Sequence, residues 1–342
     1  MNIGLIGAGM VAPHHIAAIK QIPEAKLIGI TDKTLMKAQK LSEEFNMPVY
    51  KTWQEMLDDP RITIVDIVTL PDSHAEISIS AARKGKHILL EKPMAISVEQ
   101  ADTILKAVQE NNIRLSVNLE YRFSDDVKYL KKAVEEGRLG KLIQGDAYVK
   151  WYRPPAYYQP QGKGTWLGEG GGALITQAIH TIDLLIWIMG HVDRLFSYLQ
   201  LGFVHSIESE DNAAAILKFK SGALGVIQGS TSLYPGSPER LEIHGKKGTV
   251  ILQAAKIIRW DIEGEENIRD TLVTKNTVQT GASIPMAIPV ENFRRSLYNL
   301  IESIKNNRKP LVNGEQARYT QSVIEAIYRS GRTGKEVCLK GV

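Results

Sequence analysis

Short apolar runs alternate with amphipathic segments over the first third of the chain, and this pattern predicts strands that alternate with helices. The predicted strands cover residues 2–8, 26–32, 63–70, 87–92 and 113–118, and the predicted helices cover residues 13–20, 34–45, 74–84 and 97–111. Ser97, with Gln100 three positions later, predicts a side-chain cap at the start of the last helix. Strands that are each followed by a helix are typical of βαβ units, so we predict a parallel, doubly wound sheet.

The pattern changes after about residue 121. A predicted helix over 124–140 and an irregular segment over 153–172 precede a second apolar helix, and strands then dominate from 196 to 260. Turn residues between these strands favour hairpins. Helices return at about 290–305 and 315–331. We therefore predict an α+β domain with a largely antiparallel, open-faced sheet, whose C-terminal helix could pack back on the first domain.

Length and composition fit a globular protein of two domains. A chain of 342 residues is too long for most single cores, so we expect one domain over 1–121 and another over 122–342. Hydrophobic residues make up 43% and charged residues 23%, as is usual for globular proteins. The net charge of +4 is spread over the chain, which gives no nucleic-acid footprint.

Cysteine usage and the apolar runs bear on the compartment. Cys338 is the single cysteine, so no internal disulfide can form, as in a reducing cytoplasm. The opening "MNIGLIGAGMVAPHH" lacks the basic region and the cleavage site of a signal peptide. The apolar run "DLLIWIMG" is far shorter than a membrane span. We expect a cytoplasmic protein without a membrane or nucleic-acid partner.

A glycine motif, "GLIGAGMVA", joins the first predicted strand to the first helix. Gly7 permits a tight turn, Gly9 leaves room for a pyrophosphate, and the small Ala12 lets helix and strand pack closely. The amides of Met10 and Val11 would face the phosphates at the helix N-terminus. The motif in this context predicts a Rossmann dinucleotide-binding domain.

Asp32 ends the second predicted strand, where a carboxylate can accept hydrogen bonds from the ribose hydroxyls of the adenosine. Its charge would repel a 2′-phosphate, so the sequence favours NAD over NADP, although the neighbouring Lys33 weakens this preference. Asp32 could instead serve only as a turn or helix-cap residue.

Lys92 stands at the end of another predicted parallel strand, in "LLEKPMA". Ligands of such sheets bind outside the carboxyl ends of the strands. Pro93 restricts the backbone at Lys92. The ammonium could therefore stabilise negative charge on a substrate oxygen during hydride transfer. The alternative is a surface lysine in a turn.

The segment "EGGGALITQAIHTID" places three glycines before an apolar helix that carries a histidine. In an α-helix Thr176, His180 and Asp183 would share one face, at positions i, i+4 and i+7. His180 could be a buried structural histidine that is bonded to Asp183. It could also be a general acid or base that works with a group from elsewhere in the chain.

The sequence resembles the glucose–fructose oxidoreductase, inositol dehydrogenase and rhizopine-catabolism family of oxidoreductases. The resemblance lies in "GLIGAGMVA", "VDIVTLPDSHAEISISAARKGKHILLEKP", "NLEYRF" and "GGGALITQAIHTIDLL", and it covers nearly the whole chain. It implies that His180 points into the cofactor cleft and works with Lys92, and that the three glycines let the backbone pass close to cofactor or substrate. Many relatives carry an aspartate where this chain has Thr176, so Thr176 would position a hydroxyl, and Asp183 would either orient the imidazole or anchor the helix.

The same resemblance implies further contacts. Arg122 would lie near the substrate, with an interdomain salt bridge as the alternative. Trp166 would also lie near the substrate, with a core position as the alternative. His14 and His15 are adjacent on a helix and make a poor metal pair, and we predict no metal site. The cofactor contacts implied are Leu70, Pro71, His74, Glu91, Lys92 and Asn118, of which His74 fits a scaffold role better than a catalytic one.

These observations predict an NAD-dependent dehydrogenase or reductase that acts on a sugar, a cyclitol or a related polyol. An NAD-dependent glycosidase, in which transient oxidation activates elimination, is one alternative. A non-catalytic NAD-binding regulator is another. The resemblance also implies a homodimer or homotetramer that assembles through the second-domain sheet.

Overall fold

A computed structural model describes residues 1–265 and 289–339 of the chain. The chain divides into two compact units, one of 1–120 with 289–318 and the other of 121–288 with 319–342. The expected domains of 1–121 and 122–342 differ from these units at residue 121 and over 289–318. The physical reason is apolar packing, because Leu297, Leu300 and Ile301 share a buried core with Ile3 and Ile19 of the first unit.

The first unit contains a parallel sheet of five strands in the order β2-β1-β3-β4-β5. The strands are β1 (Asn2–Ile6), β2 (Lys26–Thr31), β3 (Ile64–Ile67), β4 (His87–Leu90) and β5 (Leu115–Val117). All four residues of β3 are buried, as expected of a central strand that helices cover on both sides. The predicted Rossmann topology is confirmed.

The helices over residues 1–120 are α1 (Ala12–Lys20), α2 (Leu35–Phe45), α3 (Trp53–Asp58), α4 (His74–Arg83) and α5 (Val98–Glu110). All of them except α3 follow the predicted positions closely. The side chain of Ser97 accepts the N–H of Gln100, which confirms the predicted cap. Sequence analysis missed the short α3, whose start is capped in the same way by Thr52 and Glu55.

The second unit contains a sheet of eight strands in the order β12-β11-β10-β6-β9-β8-β7-β13. The strands are β6 (Leu142–Lys150), β7 (Val192–Leu201), β8 (Glu210–Phe219), β9 (Leu224–Ser230), β10 (Arg240–Gly245), β11 (Gly248–Gln253), β12 (Lys256–Ile262) and β13 (Val337–Cys338). Within the described ranges, every neighbouring pair is antiparallel except β6 with β9. The predicted largely antiparallel sheet is confirmed.

Alternating burial gives this sheet two different faces. On one face, glycines allow helical residues to approach closely, since a Cβ on Gly145 would lie 2.6 Å from Met189 and one on Gly229 would lie 2.6 Å from Leu174. On the other face, Ile216 is 64% exposed and pairs with Val226 of the next strand.

The helices of the second part of the chain are α6 (Asp125–Glu135), α7 (Trp166–Glu169), α8 (Ile179–Met189), α9 (Val290–Lys305) and α10 (Gly314–Thr333).

The segment Trp166–Met189 has the length and the composition of a helix that could cross a membrane, with a mean hydropathy of 1.5 over its most apolar window. The run "DLLIWIMG" is itself short, as sequence analysis noted, and the 24 residues of this segment also include α7 and the glycines that follow it. However, 83% of that window is buried inside the structure. A core helix meets the same two criteria, and burial in protein accounts for its apolar sequence.

Candidate active site

The loop after β1 has the geometry that the glycine motif predicts. Gly7 adopts a φ of +114°, and a Cβ there would lie 2.7 Å from the backbone carbon of Val68, so only glycine fits. Its N–H donates to the carbonyl of Thr31 at 2.8 Å. A Cβ on Gly9 would meet only the Val68 carbonyl oxygen, at 4.0 Å. The loop is thus fixed at Gly7 and open at Gly9, as the close approach of a pyrophosphate requires.

Asp32 holds this loop from the end of β2. Its Oδ2 accepts the N–H of Ala8 at 2.7 Å, and its Oδ1 accepts the N–H of Thr34 at 2.7 Å. The carboxylate therefore has the turn role that sequence analysis kept as an alternative, and its further lone pairs remain compatible with a ribose contact. Lys33 is exposed, and so is Met10, at 60%. The residues of this edge fit a dinucleotide.

The segment around Lys92 is held on both sides by buried groups. The N–H of Lys92 donates to Oε2 of Glu91 at 3.2 Å. The carbonyl oxygen of Pro93 lies 2.9 Å from Nδ1 of His74, whose Nε2 lies 3.2 Å from the carbonyl oxygen of Thr69. His74 is fully buried, and this burial lowers its pKa. His74 therefore holds the backbone of two loops together, which is a structural position. Of the two predicted cofactor contacts before it, Leu70 is half-buried and Pro71 is buried.

Glu91 and Asn118 face the interior of the first unit. The amide of Asn118 donates to Oε1 of Glu91 at 2.6 Å, and the same oxygen lies 3.0 Å from Nε2 of His15. Both residues are at most 8% exposed. The side chains of Glu91 and Asn118 therefore bond each other inside the first unit. Lys92, the next residue after Glu91, is half-buried.

The helix that carries His180 begins with a π-helical turn, Leu174–Ala178, and continues as α8. Glu210 holds its entrance, with Oε2 accepting the N–H of Gly172 at 2.8 Å and Oε1 accepting the N–H of Leu174 at 2.8 Å. A Cβ on Gly172 would lie 1.8 Å from the carbonyl oxygen of Glu210. Close packing within the second unit thus explains a glycine that the family resemblance assigned to the approach of cofactor or substrate.

Thr176 and His180 do not keep the simple spacing that an α-helix would give them. The i→i+5 bonding of a π-helix shifts the register between them, and the hydroxyl of Thr176 donates back to the carbonyl oxygen of Gly172 at 2.7 Å. The imidazole of His180 is 6% exposed and stacks on Tyr121, with 4.9 Å between ring centroids and 27° between planes. The stacking holds the ring in one plane.

Asp183 bonds Arg122. The guanidinium donates two hydrogen bonds of 2.7 Å, from Nε to Oδ2 and from Nη2 to Oδ1, and the hydroxyl of Thr320 donates to Oδ1 at 2.8 Å. Arg122 is 2% exposed and Asp183 is fully buried. These contacts favour the anchoring role for Asp183, and they give the predicted substrate residue Arg122 a buried partner within its own unit.

Trp166 lies at the start of α7, beside the glycine segment. Its ring packs edge-on against Tyr328 at 5.0 Å, and the guanidinium of Arg332 lies 4.1 Å from the ring centroid. Its side chain is half-buried. The ring thus has the packing of a core residue on one side.

One group of potential metal ligands escaped sequence analysis. Asp146, Glu242 and His244 place ligand atoms within 4.8 Å of one another on adjacent strands. Oδ1 of Asp146 already accepts the N–H of Val226 at 2.9 Å, and Oε1 of Glu242 lies 2.6 Å from Arg240. One oxygen of each carboxylate is therefore already bound within the protein, that of Asp146 by a backbone N–H and that of Glu242 by a guanidinium.

Sequence analysis also missed Tyr121, Glu210 and the pair of His15 with Asp66. Tyr121 lies next to Arg122 in "EYRF", but nothing local predicts its stacking on a ring 59 positions away. Asp66 gave a usable signal, because it stands in the apolar strand "IVDIV" and a buried carboxylate needs a partner.

Comparison with known proteins covers almost the whole chain. The family model described as "Oxidoreductase family, NAD-binding Rossmann fold" matches residues 1–119. The model described as "Oxidoreductase family, C-terminal alpha/beta domain" matches residues 131–339. The first match spans nearly all of residues 1–120, and the second begins within 121–288 and continues to residue 339.

Characterised relatives are similar over most of their length. Myo-inositol 2-dehydrogenase of Thermotoga maritima is 28% identical, over 93% of this chain and 92% of the relative. Levoglucosan dehydrogenase of Pseudarthrobacter phenanthrenivorans is 28% identical, over 73% of each chain. The crystal structure of the WlbA dehydrogenase from Bordetella pertussis, in complex with NADH and UDP-GlcNAcA, superposes with a TM-score of 0.88 at 28% identity and covers 98% of this chain and 97% of that one.

Proposed function

This chain belongs to the oxidoreductase family of glucose–fructose oxidoreductase and inositol dehydrogenase, and from this premise we propose that it moves a hydride between NAD and a hydroxyl-bearing carbon of a sugar, a cyclitol or a related polyol. One observation carries the proposal. The glycine loop, Asp32 and Lys92 follow β1, β2 and β4, which are parallel strands of one sheet, so all three lie at its carboxyl edge. Ligands of such sheets bind at that edge.

Lys92 and His180 are the residues to which we assign the chemistry. A bound nicotinamide would take the hydride from the substrate carbon or return it in the reverse direction. The ammonium of Lys92 donates a hydrogen bond to the reacting oxygen and stabilises negative charge there. The imidazole of His180 accepts the proton of the substrate hydroxyl. The family resemblance of both motifs supports this assignment, together with the stacking that holds the His180 ring.

Thr176 and Trp166 are assigned supporting roles beside the substrate. The hydroxyl of Thr176 would position a substrate hydroxyl, in place of the carboxylate that many relatives carry. The ring of Trp166 would pack against C–H groups of a sugar. For Arg122 we propose an anchoring role, since its guanidinium is committed to Asp183.

The substrate class rests on the relatives. They include dehydrogenases of inositol and of levoglucosan, which are cyclic polyols, and a dehydrogenase in complex with a UDP-linked sugar. Oxidation of a secondary hydroxyl is the reaction that such substrates share. We propose the same reaction here, in the cytoplasm and without a metal.

Self-association is a further part of the proposal. The open face of the second-unit sheet presents apolar side chains, with Tyr198 72% and Ile216 64% exposed. Exposed apolar patches often mark protein interfaces. We propose that this face joins copies of the chain into a homodimer or a homotetramer, which light scattering at micromolar concentration would detect.

A substrate panel tests the reaction. The purified chain is incubated with NAD⁺ and, one at a time, myo-inositol, scyllo-inositol, levoglucosan, free aldoses and UDP-linked sugars, while the NADH absorbance is followed. At least one compound should yield NADH, and the His180→Ala variant should lose that activity. Cleavage of a glycoside without NADH accumulation would instead support the glycosidase. Binding of NAD without turnover of any compound would support the regulator.

A further inference from the structure

A chain of four buried polar side chains runs through the first unit beneath Lys92. Nδ1 of His15 lies 2.8 Å from Oδ2 of Asp66, and Nε2 of His15 lies 3.0 Å from Oε1 of Glu91. The amide of Asn118 donates to that same Oε1 at 2.6 Å. Each of these residues is at most 8% exposed. The chain thus links α1, β3, the end of β4 and the end of β5.

Its geometry and its charges fix the direction of the hydrogen bond between His15 and Glu91, because an ionised Glu91 can only accept, while burial raises the pKa of the other carboxyl group, that of Asp66. Each ring nitrogen faces a carboxyl group, and ionised carboxylates only accept hydrogen bonds. A neutral imidazole has one donor nitrogen, so it could satisfy only one of Asp66 and Glu91 when both are ionised, whereas an imidazolium satisfies both. Burial alone would lower the pKa of His15, but the two carboxyl groups raise it to about 10. Burial opposes ionisation of Glu91, yet the hydrogen bond from His15 helps lower its pKa to about 2.

The second oxygen of Glu91 connects this chain to the backbone of Lys92. Oε2 accepts the N–H of Lys92, the residue that directly follows Glu91. The Glu91 side chain therefore bends back over its own peptide bond and fixes the orientation of the next residue. Oε1 is meanwhile held by His15 and Asn118, so both oxygens of the carboxylate have fixed partners.

We propose that His15 is a positioning residue for Lys92, because its imidazole ring holds the Glu91 carboxylate in the orientation that fixes the Lys92 backbone. The inference rests on the role proposed for Lys92 above. His15 does not touch the reacting atoms in this view. It lies on α1, whose first residue ends the glycine loop, so the helix that faces the dinucleotide also supports the lysine.

The neighbouring histidine supplies a matched control. His14 precedes His15 on the same helix, is half-buried and packs against the same ring, Phe293, at 5.8 Å between centroids compared with 5.0 Å for His15. His15→Gln and His14→Gln therefore remove the same type of side chain from one helix. The contacts with Asp66 and Glu91 distinguish them.

Steady-state kinetics of the intact chain form the first test. His15→Gln should lower kcat by roughly 100-fold, the effect of a small misplacement near a reacting centre, while the Kd of NAD stays within about twofold of wild type. His14→Gln should leave kcat within about twofold. In the Glu91→Gln background, His15→Gln should lower kcat no further, because the path through Glu91 is already broken. Full additivity of the two substitutions would overturn the proposal.

A second measurement does not depend on activity. Reductive methylation with ¹³C-formaldehyde gives each lysine an NMR signal, and Lys92→Arg identifies the signal of Lys92. That signal should shift in His15→Gln and stay in place in His14→Gln. An unchanged Lys92 signal in His15→Gln would overturn the proposal. The Lys92 signal could shift in His15→Gln while the Lys92→Ala variant keeps normal turnover. This pair of results would support the positioning role of His15 and refute the catalytic role of Lys92.

Discussion

The carboxylate of Glu210 accepts the backbone N–H of Gly172 across 2.8 Å, at the entrance of the helix that carries His180. The same carboxylate accepts the N–H of Leu174 and the hydroxyl of Tyr328, at 2.8 and 2.9 Å. A side chain 38 positions away in sequence thus satisfies two amides at the start of the π-helical turn. Such amides have no partner within the helix itself.

Glu210→Gln should destabilise the protein. The amide nitrogen of glutamine cannot accept a hydrogen bond, so either Gly172 or Leu174 keeps a buried N–H without an acceptor, at a cost of about 1–3 kcal/mol. Tyr328→Phe removes one donor and leaves both backbone bonds, so no buried N–H loses its acceptor and the loss of stability should be the smaller of the two. Urea unfolding of both variants measures the difference, and a larger loss in Tyr328→Phe would contradict this account.

NAD should bind more tightly than NADP. The carboxylate of Asp32 lies at the end of β2, and a 2′-phosphate there would meet a like charge, so NADP should bind at least about tenfold more weakly. Calorimetric titration with both dinucleotides at one ionic strength measures the ratio. Asp32→Asn should narrow it, while Lys33→Ala should widen it. If NADP bound to the wild-type protein as tightly as NAD or more tightly, Asp32 would not discriminate against the 2′-phosphate.

His180→Ala should lower the turnover rate by roughly two to four powers of ten, the usual contribution of a general base. The Kd of NAD should barely change, because the histidine is assigned to the substrate. Thr176→Ala should be milder, and Thr176→Asp should be tolerated if the site keeps the arrangement of relatives with aspartate there. A purely structural His180 predicts the opposite result, a loss of thermal stability with normal turnover of the folded protein.

Lys92→Ala should be at least as damaging to turnover as His180→Ala. It removes the full positive charge assigned to the developing alkoxide, and the loss of even one neutral donor at such a position costs about 10²–10³ in kcat. The backbone N–H of residue 92, which donates to Glu91, is kept in this variant. Lys86→Ala is a control in the same sheet, since its ammonium bonds the carbonyl oxygens of Asp59 and Ile62 instead. Normal kcat in Lys92→Ala would refute the proposed mechanism.

The ion pair of Arg122 and Asp183 should be a stability element. Asp183→Asn leaves a buried guanidinium without its carboxylate, which costs about 3–5 kcal/mol. Thr320→Val removes one hydrogen bond from a hydroxyl to the same carboxylate oxygen, leaves the ion pair intact and should cost less, about 1.5–3 kcal/mol. Thermal melts of both variants decide the question. A loss below about 1 kcal/mol for Asp183→Asn would show that the pair is not an anchor.

Sequence analysis predicted those features that depend on local spacing. The glycine loop, Asp32 and the cap at Ser97 each involve residues that a strand or a turn brings together, so a motif of a few letters sufficed. The periodicity of apolar residues likewise predicted a parallel sheet followed by a largely antiparallel one. Burial in the two cores explains why that periodicity was so regular.

Features that depend on distant pairs could not be predicted in the same way. Arg122 and Asp183 lie 61 positions apart, and His15 and Asp66 lie 51 positions apart. Only the folded chain shows that these charges are neighbours. The π-helical turn before His180 is similar, because the distant carboxylate of Glu210 holds its entrance.

Glu120 should make stability depend on pH. It is fully buried near Glu91, and burial together with that negative charge raises its pKa to about 8, although the positive charges of Lys92 and His15 oppose the shift. A carboxyl whose pKa is higher in the folded than in the unfolded state contributes stability below its unfolded pKa of 4.5, and this contribution is lost as pH rises toward 8.

Glutamine mimics the protonated acid at every pH. Glu120→Gln should therefore match wild type near pH 4.5 and become more stable than wild type by up to about 1.4 kcal/mol for each pH unit above it, until about pH 8. Urea unfolding at pH 5, 6.5 and 8 measures this difference, with Glu44→Gln as a control for the same substitution at an exposed position. A constant difference between Glu120→Gln and wild type over that range would mean that Glu120 is ionised throughout, with the surrounding positive charges outweighing its burial.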